Sequence, residues 1–149
     1  MTHDLQLSLV LLGDLPKTVP LVSTYLEEAA GRTRGRCTAT DLLRMIFNGQ
    51  YTLWAVFDAR AQRVHGCFVT EVKAYPQMNM LAVQHCVIDE NLMEQVEEKM
   101  QETAANFARD AGCAGIEFTG RPGWRRHAEK YGYVSNSVSY TKFISKVTS

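Results

Sequence analysis

Residues 104–133 constrain this chain more tightly than any other stretch: Ala-Ala-Asn-Phe-Ala-Arg-Asp-Ala-Gly-Cys-Ala-Gly-Ile-Glu-Phe-Thr-Gly-Arg-Pro-Gly-Trp-Arg-Arg-His-Ala-Glu-Lys-Tyr-Gly-Tyr. They read as a helix stopped at Gly112, a short apolar strand, a turn at Pro122-Gly123, and a second helix stopped at Gly132. Glycine just past a helix takes the left-handed conformation that a Cβ disfavours, so both helices carry their own stop signal. A helix that feeds a strand and then a further helix is half of an α/β unit, and it points to a layered sheet-and-helix domain.

The rest of the chain extends that pattern. Residues 92–111 form the clearest helix, with Met93, Val96, Met100, Ala104, Phe107 and Ala108 as its apolar stripe and Glu94, Glu97, Glu98 and Glu102 mostly off it. Asp89 and Asn91 read as caps, and Asn91 and Glu94 stand at capping-box spacing. Residues 5–12 read as a strand closed by Gly13-Asp14, and residues 16–30 as a helix bearing Val19, Val22, Tyr25, Leu26 and Ala29. Thr38 or Thr40 caps a short helix carrying Leu42, Leu43, Ile46 and Phe47. Strands at 51–57, 64–72 and 78–88 are expected to make an antiparallel meander, with a polar hairpin loop at 58–63. A strand at 114–119, a helix at 122–131 and a closing strand or strand pair at 133–147 complete the order β-α-α-β-β-β-α-β-α-β. The expected fold is a single α/β domain over residues 1–149, a mixed sheet with helices on both faces.

Composition narrows the partners. The formal net charge is +0, so no global field steers the chain to nucleic acid or an anionic membrane, and neither is an expected partner. Cys37, Cys67, Cys86 and Cys113 show no Cys-x-x-Cys spacing, which argues against a zinc site or a disulfide framework. Each reads as a small buried hydrophobe in a reducing compartment, and no metal is expected. No apolar run approaches a membrane span, and no basic region precedes an apolar core at the N-terminus, so a cytoplasmic location is expected.

This element order, together with Phe107-Ala-Arg-Asp-Ala-Gly-Cys113 and Glu129-Lys-Tyr-Gly-Tyr133, resembles the GNAT superfamily of N-acetyltransferases. The order matches over nearly the whole chain, and the residue-level match covers roughly residues 96–133. Within that family, the Gly120-Arg-Pro-Gly-Trp124 turn and the Leu53-Trp-Ala-Val-Phe57 strand are similar to small proteins encoded by tailed bacteriophages. The resemblance implies acetyl-CoA or CoA as cofactor, with contacts at Val87, Ile88, Arg121 and Arg125, and transfer of an acetyl group to an amine. It leaves a homodimer open.

Two departures qualify it. The family cradles the cofactor's pyrophosphate at the start of its central helix with a Gln/Arg-x-x-Gly-x-Gly/Ala motif, whose glycines let phosphate approach the backbone. Here the matching stretch is Leu92-Met-Glu-Gln-Val-Glu97, whose glycine positions hold Met93, Gln95 and Glu97, with Asp89, Glu90 and Glu94 close by. Each like-charge pair at about 4 Å costs roughly 1 kcal/mol in water and about 4 at an effective dielectric near 20. Two or three such terms outweigh the ~2 kcal/mol at most that a helix dipole offers. In addition, many family members place a tyrosine four residues before the last helix's terminal glycine, where it protonates the leaving thiolate of CoA; that position is Ala128. Tyr131 and Tyr133 flank Gly132 at positions the family fills with core residues.

Glu71 and His85, on neighbouring strands of the meander, are the candidate catalytic residues: either is a general base for an amine, or they are a solvated strand residue and a hydrogen-bonded histidine. Glu117 faces either a cleft or solvent. Arg121, Arg125 and Arg126 with His127, and Arg32, Arg34 and Arg36, make two basic turns that either hold a phosphate from an unusual side or pair with surface carboxylates. Trp124 is a packing anchor over the sheet edge or an interface residue.

Two functions follow. One is a phage-type protein with the acetyltransferase frame and a degenerate acyl-CoA site, binding a host bacterial protein in the host cytoplasm and modulating host metabolism or regulation. The other is an active N-acetyltransferase with an atypical CoA site, acting on a protein or small-molecule amine. A virion-structural role is a third reading.

Overall fold

A computed structural model describes residues 4–120 and 122–145. One five-stranded sheet runs in the order β1-β2-β3-β4-β5. Its strands are β1 (Leu5–Leu9), β2 (Thr52–Asp58), β3 (Arg63–Ala74), β4 (Asn79–Ile88) and β5 (Gly115–Phe118). The first four pair antiparallel, and β5 joins β4 in parallel. The helices are α1 (Leu15–Gly31), α2 (Ala39–Phe47), α3 (Met93–Asp110) and α4 (Arg125–Lys130). Thr38 is the cap of α2: its hydroxyl accepts from Asp41 N at 3.1 Å, and Asp41 Oδ2 accepts from Thr38 N at 2.9 Å.

Strand alternation sorts the core into two layers. Leu53, Cys67, Val69 and Val87 face α1 and α2, where Leu15, Val22, Leu26, Leu42 and Ile46 are buried with them. Trp54, Val56 and Phe68 face α3 and meet Val96 and Met100. Trp54 stacks on Phe68 with centroids 5.2 Å apart, takes the edge of Phe107 at 5.2 Å, and donates its indole N–H to Thr70 Oγ1 at 3.0 Å. A buried indole thus has its one donor satisfied. The β3–β4 register slips between Val69 and Thr70, leaving Gln84 as an extra residue on β4. This bulge re-aims the strand, so that His85 shares the α1/α2 face with Val87 while Cys86 and Ile88 face α3.

Three expectations are corrected. No strand forms among described residues 133–145, although apolar and polar residues alternate over part of the segment; Val134, Val138, Tyr140 and Ile144 are exposed, and residues 146 and 147 lie outside the described part. Alternation predicts a strand only where a neighbouring edge pairs with it. The capping box at Asn91 and Glu94 is absent: Leu92 holds the N-cap position of α3 with no side-chain cap bond. Asp89 does not cap either, because its carboxylate accepts from Tyr25 Oη at 2.9 Å and meets His65 Nδ1 at 2.9 Å. Finally, the cysteines are all free, as expected, but only Cys67 is fully buried.

Candidate active site

β5 pairs with β4 only from Met80 to Val83. Past that point no strand among the described residues lies beside residues 84–88 of β4 on that side, and a cavity of about 650 Å³ opens there. Its volume lies in the range of small-ligand sites, roughly 300–1,000 Å³. Residues from both helical layers reach it: Arg32 and Arg36 from the α1 side, Glu97 and Met100 from α3, Trp124 and His127 from α4 and its preceding turn.

His85 is on this wall. Burial, and then the Arg32 guanidinium, push its imidazole below the ordinary 6.5, so it is neutral near neutral pH and able to accept a proton. Glu71 is not on the wall. Its two oxygens accept from Gln50 Nε2 at 3.2 Å and Gln84 Nε2 at 2.8 Å, which accounts for them without a ligand. Val87 lines the cavity beside His85, whereas Ile88 packs among the α3-side core residues. Arg125 pairs with Glu129 at 3.0 Å on the surface, and Arg121 lies outside the described residues. Arg32 donates to the Cys86 carbonyl at 3.1 Å and pairs with Glu28 at 2.9 Å. Glu117 accepts from Tyr75 Oη at 2.6 Å in solvent.

The α3/α4 side holds what residue patterns did not reveal. Glu97 is 3 % exposed, and its Oε2 lies 2.8 Å from His127 Nδ1. Lys130 Nζ stands 4.0 Å from Oε1, which has no hydrogen-bond partner among the described residues. The signal was present: Glu97 follows Met93 by four residues and precedes Met100 by three, and so lies on the buried stripe. Tyr133 donates to Gln101 at 2.7 Å and meets Phe118 edge-on at 5.1 Å; Trp124 meets Phe118 at 6.5 Å, as a packing anchor should.

The start of α3 does not fit a cofactor pyrophosphate. Only Asp89 and the turn Glu90–Leu92 separate β4 from α3, and Leu92 is 2 % exposed among Leu5, Val56 and Val96. Exposed Glu90 and Glu94 flank the buried Leu92 at this helix start. Among the described residues no group of His, Cys, Asp or Glu is placed to hold a metal, and no helix is long and apolar enough to cross a membrane.

No family model and no curated protein matches the sequence. Solved structures do match. A Trypanosoma brucei acetyltransferase superposes with TM-score 0.68 at 13 % identity, covering 95 % of this chain and 100 % of its own. A GNAT family acetyltransferase from Staphylococcus aureus gives 0.65 at 17 % identity, with 96 % and 100 % covered. The fold is that of the GNAT acetyltransferases. Glucosamine-6-phosphate N-acetyltransferase from Arabidopsis thaliana gives 0.66 at 12 % identity, covering 96 % and 100 %.

Proposed function

We propose that this chain is a GNAT-type acyltransferase with an atypical donor site, transferring an acyl group to an amine. The observation that carries the reading is the cavity at the β4–β5 gap, with the neutral imidazole of His85 on its wall. His85 accepts the proton that the amine loses as it attacks. Glu71, bound by Gln50 and Gln84, fixes the β4 bulge beside it. The donor is held without a pyrophosphate cradle, so the phosphates of CoA contribute little to its recognition.

The test is thiol release from acetyl-CoA and from S-acetyl-N-acetylcysteamine, which has no phosphates, with spermidine or a lysine tripeptide as acceptor. The expected kcat/KM values for the two donors lie within about tenfold, a difference of ~1.4 kcal/mol. A preference for acetyl-CoA above a thousandfold would show that its phosphates have a site after all.

A second reading is favoured by the filled start of α3 and by the apolar surface of residues 134–144. In it the chain is a phage-encoded binding protein that keeps the frame, engages a bacterial host protein in the host cytoplasm, and performs no transfer. Capture of one host protein by a chain that releases no thiol from either donor would establish it over the first.

A further inference from the structure

We propose that His127 is the proton donor to the leaving group in this site and that Glu97 is its positioning residue. The inference rests on the acyl-transfer reading and goes beyond it, since that reading supplies a base for the amine and nothing for the departing atom.

The geometry is that of a carboxylate–imidazole pair built across two helices. Glu97 comes from the second turn of α3 and His127 from α4, 2.8 Å apart. A carboxylate only accepts, so Nδ1 carries the N–H of this bond and Nε2 is the nitrogen left for a ligand. The carboxylate is buried and the imidazole is partly open, with side chains 4 % and 37 % exposed. A group that only held α4 against α3 has no need of a cavity, yet His127 is on the cavity wall. The Trp124 ring, 5.8 Å away, fixes the imidazole from a second side.

The other candidates on this wall are poorer acids. Tyr133 already donates its hydroxyl to Gln101, and burial raises its phenol above the ordinary range. Tyr131 is raised by desolvation and then by the Glu97 carboxylate. Burial pushes the Cys86 thiol up to about 12. Ala128, beside His127, has no acidic group at all.

The step balances as follows. The amine nitrogen forms a bond to the acyl carbon of a thioester, and the carbon–sulfur bond breaks with its electron pair on sulfur. The amine's proton passes to His85, and the sulfur takes the Nε2 proton of His127, which enters the step as the imidazolium and keeps its Nδ1–H on Glu97 throughout. Solvent then restores both rings.

Leaving-group dependence separates this role from a structural latch. The donors are S-acetyl-N-acetylcysteamine, whose alkyl thiolate needs a proton, and S-phenyl thioacetate, whose thiolate departs without one. His127→Gln can still donate to Glu97 but cannot shuttle a proton. It is expected to lower kcat on the alkyl thioester by about 100-fold or more and on the phenyl thioester by less than about threefold. Glu97→Gln is expected to show the same selectivity at about tenfold, with partial recovery in Glu97→Asp. Equal losses on both donors in folded variants would make the pair a latch and overturn the assignment. Absence of turnover in the wild-type chain with either donor would instead remove the acyl-transfer reading, and this assignment with it. Should His127→Gln fail to fold, the isosteric Glu97→Gln decides the matter alone.

Discussion

Breaking the Glu97–His127 pair from its two ends should cost different amounts, because the partners are unequally buried. Removing His127 by His127→Ala leaves a carboxylate whose side chain is 4 % exposed, with Lys130 Nζ at 4.0 Å and the Tyr131 phenol beside it. Loss of one partner from a buried ion pair costs ~3–5 kcal/mol, and Lys130 places this case near 3. Removing Glu97 by Glu97→Ala leaves an imidazole whose side chain is 37 % exposed and which solvent can serve. That change forfeits one charge-assisted hydrogen bond, about 1.5–2 kcal/mol. For a domain of this size a kcal/mol moves Tm by about 3 °C, so the expected drops are roughly 9 °C and 5 °C. Urea titration at neutral pH, with m unchanged between variants, measures both. A Glu97→Ala variant as destabilised as His127→Ala, or more so, would refute the claim that the carboxylate is the buried member.

Three further outcomes are expected. His85 is held below its ordinary 6.5 in the folded chain, so the unfolded chain binds its proton first as pH falls; His85 lowers stability progressively below about pH 6.5, and His85→Asn should flatten that part of a urea-midpoint-versus-pH curve. Gly66→Ala would place a Cβ 2.5 Å from the Val87 carbonyl oxygen and 2.7 Å from Ile88 Cα, both backbone. It should cost roughly 2–3 kcal/mol by thermal melting and disturb amide shifts of β4 around His85, whereas an unchanged Tm would contradict the close packing there. Trp54→Phe orphans the buried Thr70 hydroxyl and should cost about 2–3 kcal/mol; adding Thr70→Val should recover about 1 of that, and no recovery would discount the hydrogen bond.

Much of the frame was legible along the chain. The apolar stripe of residues 93–108, the alternating runs of the meander and the glycine stops each report a local period, and local periods survive into the fold. What failed needed a partner from elsewhere. Residues 133–145 alternate in part as a strand does, but pairing depends on an edge that no local pattern specifies. Asp89 stood at a capping position, yet Tyr25 and His65, distant in sequence, claim its carboxylate. His85 and Glu71 were both found as candidates, and only the bulge at Gln84 decides that His85 meets the cavity while Glu71 is held by glutamines. Glu97 was assigned to the polar side because carboxylates usually are; its place between Met93 and Met100 carried the opposite message, which His127 confirms across thirty positions of chain.

The central claim is that this chain has the GNAT frame without the site that holds the cofactor's pyrophosphate. Calorimetric titration of the full chain with acetyl-CoA tests it most directly. Met93, Gln95 and Glu97 stand where the family motif has small residues, and exposed Glu90 and Glu94 lie beside the start of α3, so the expected result is no saturable binding below the millimolar range, weaker than about −4 kcal/mol. Micromolar affinity, about −8 kcal/mol, would contradict the claim and require a phosphate site elsewhere on the chain.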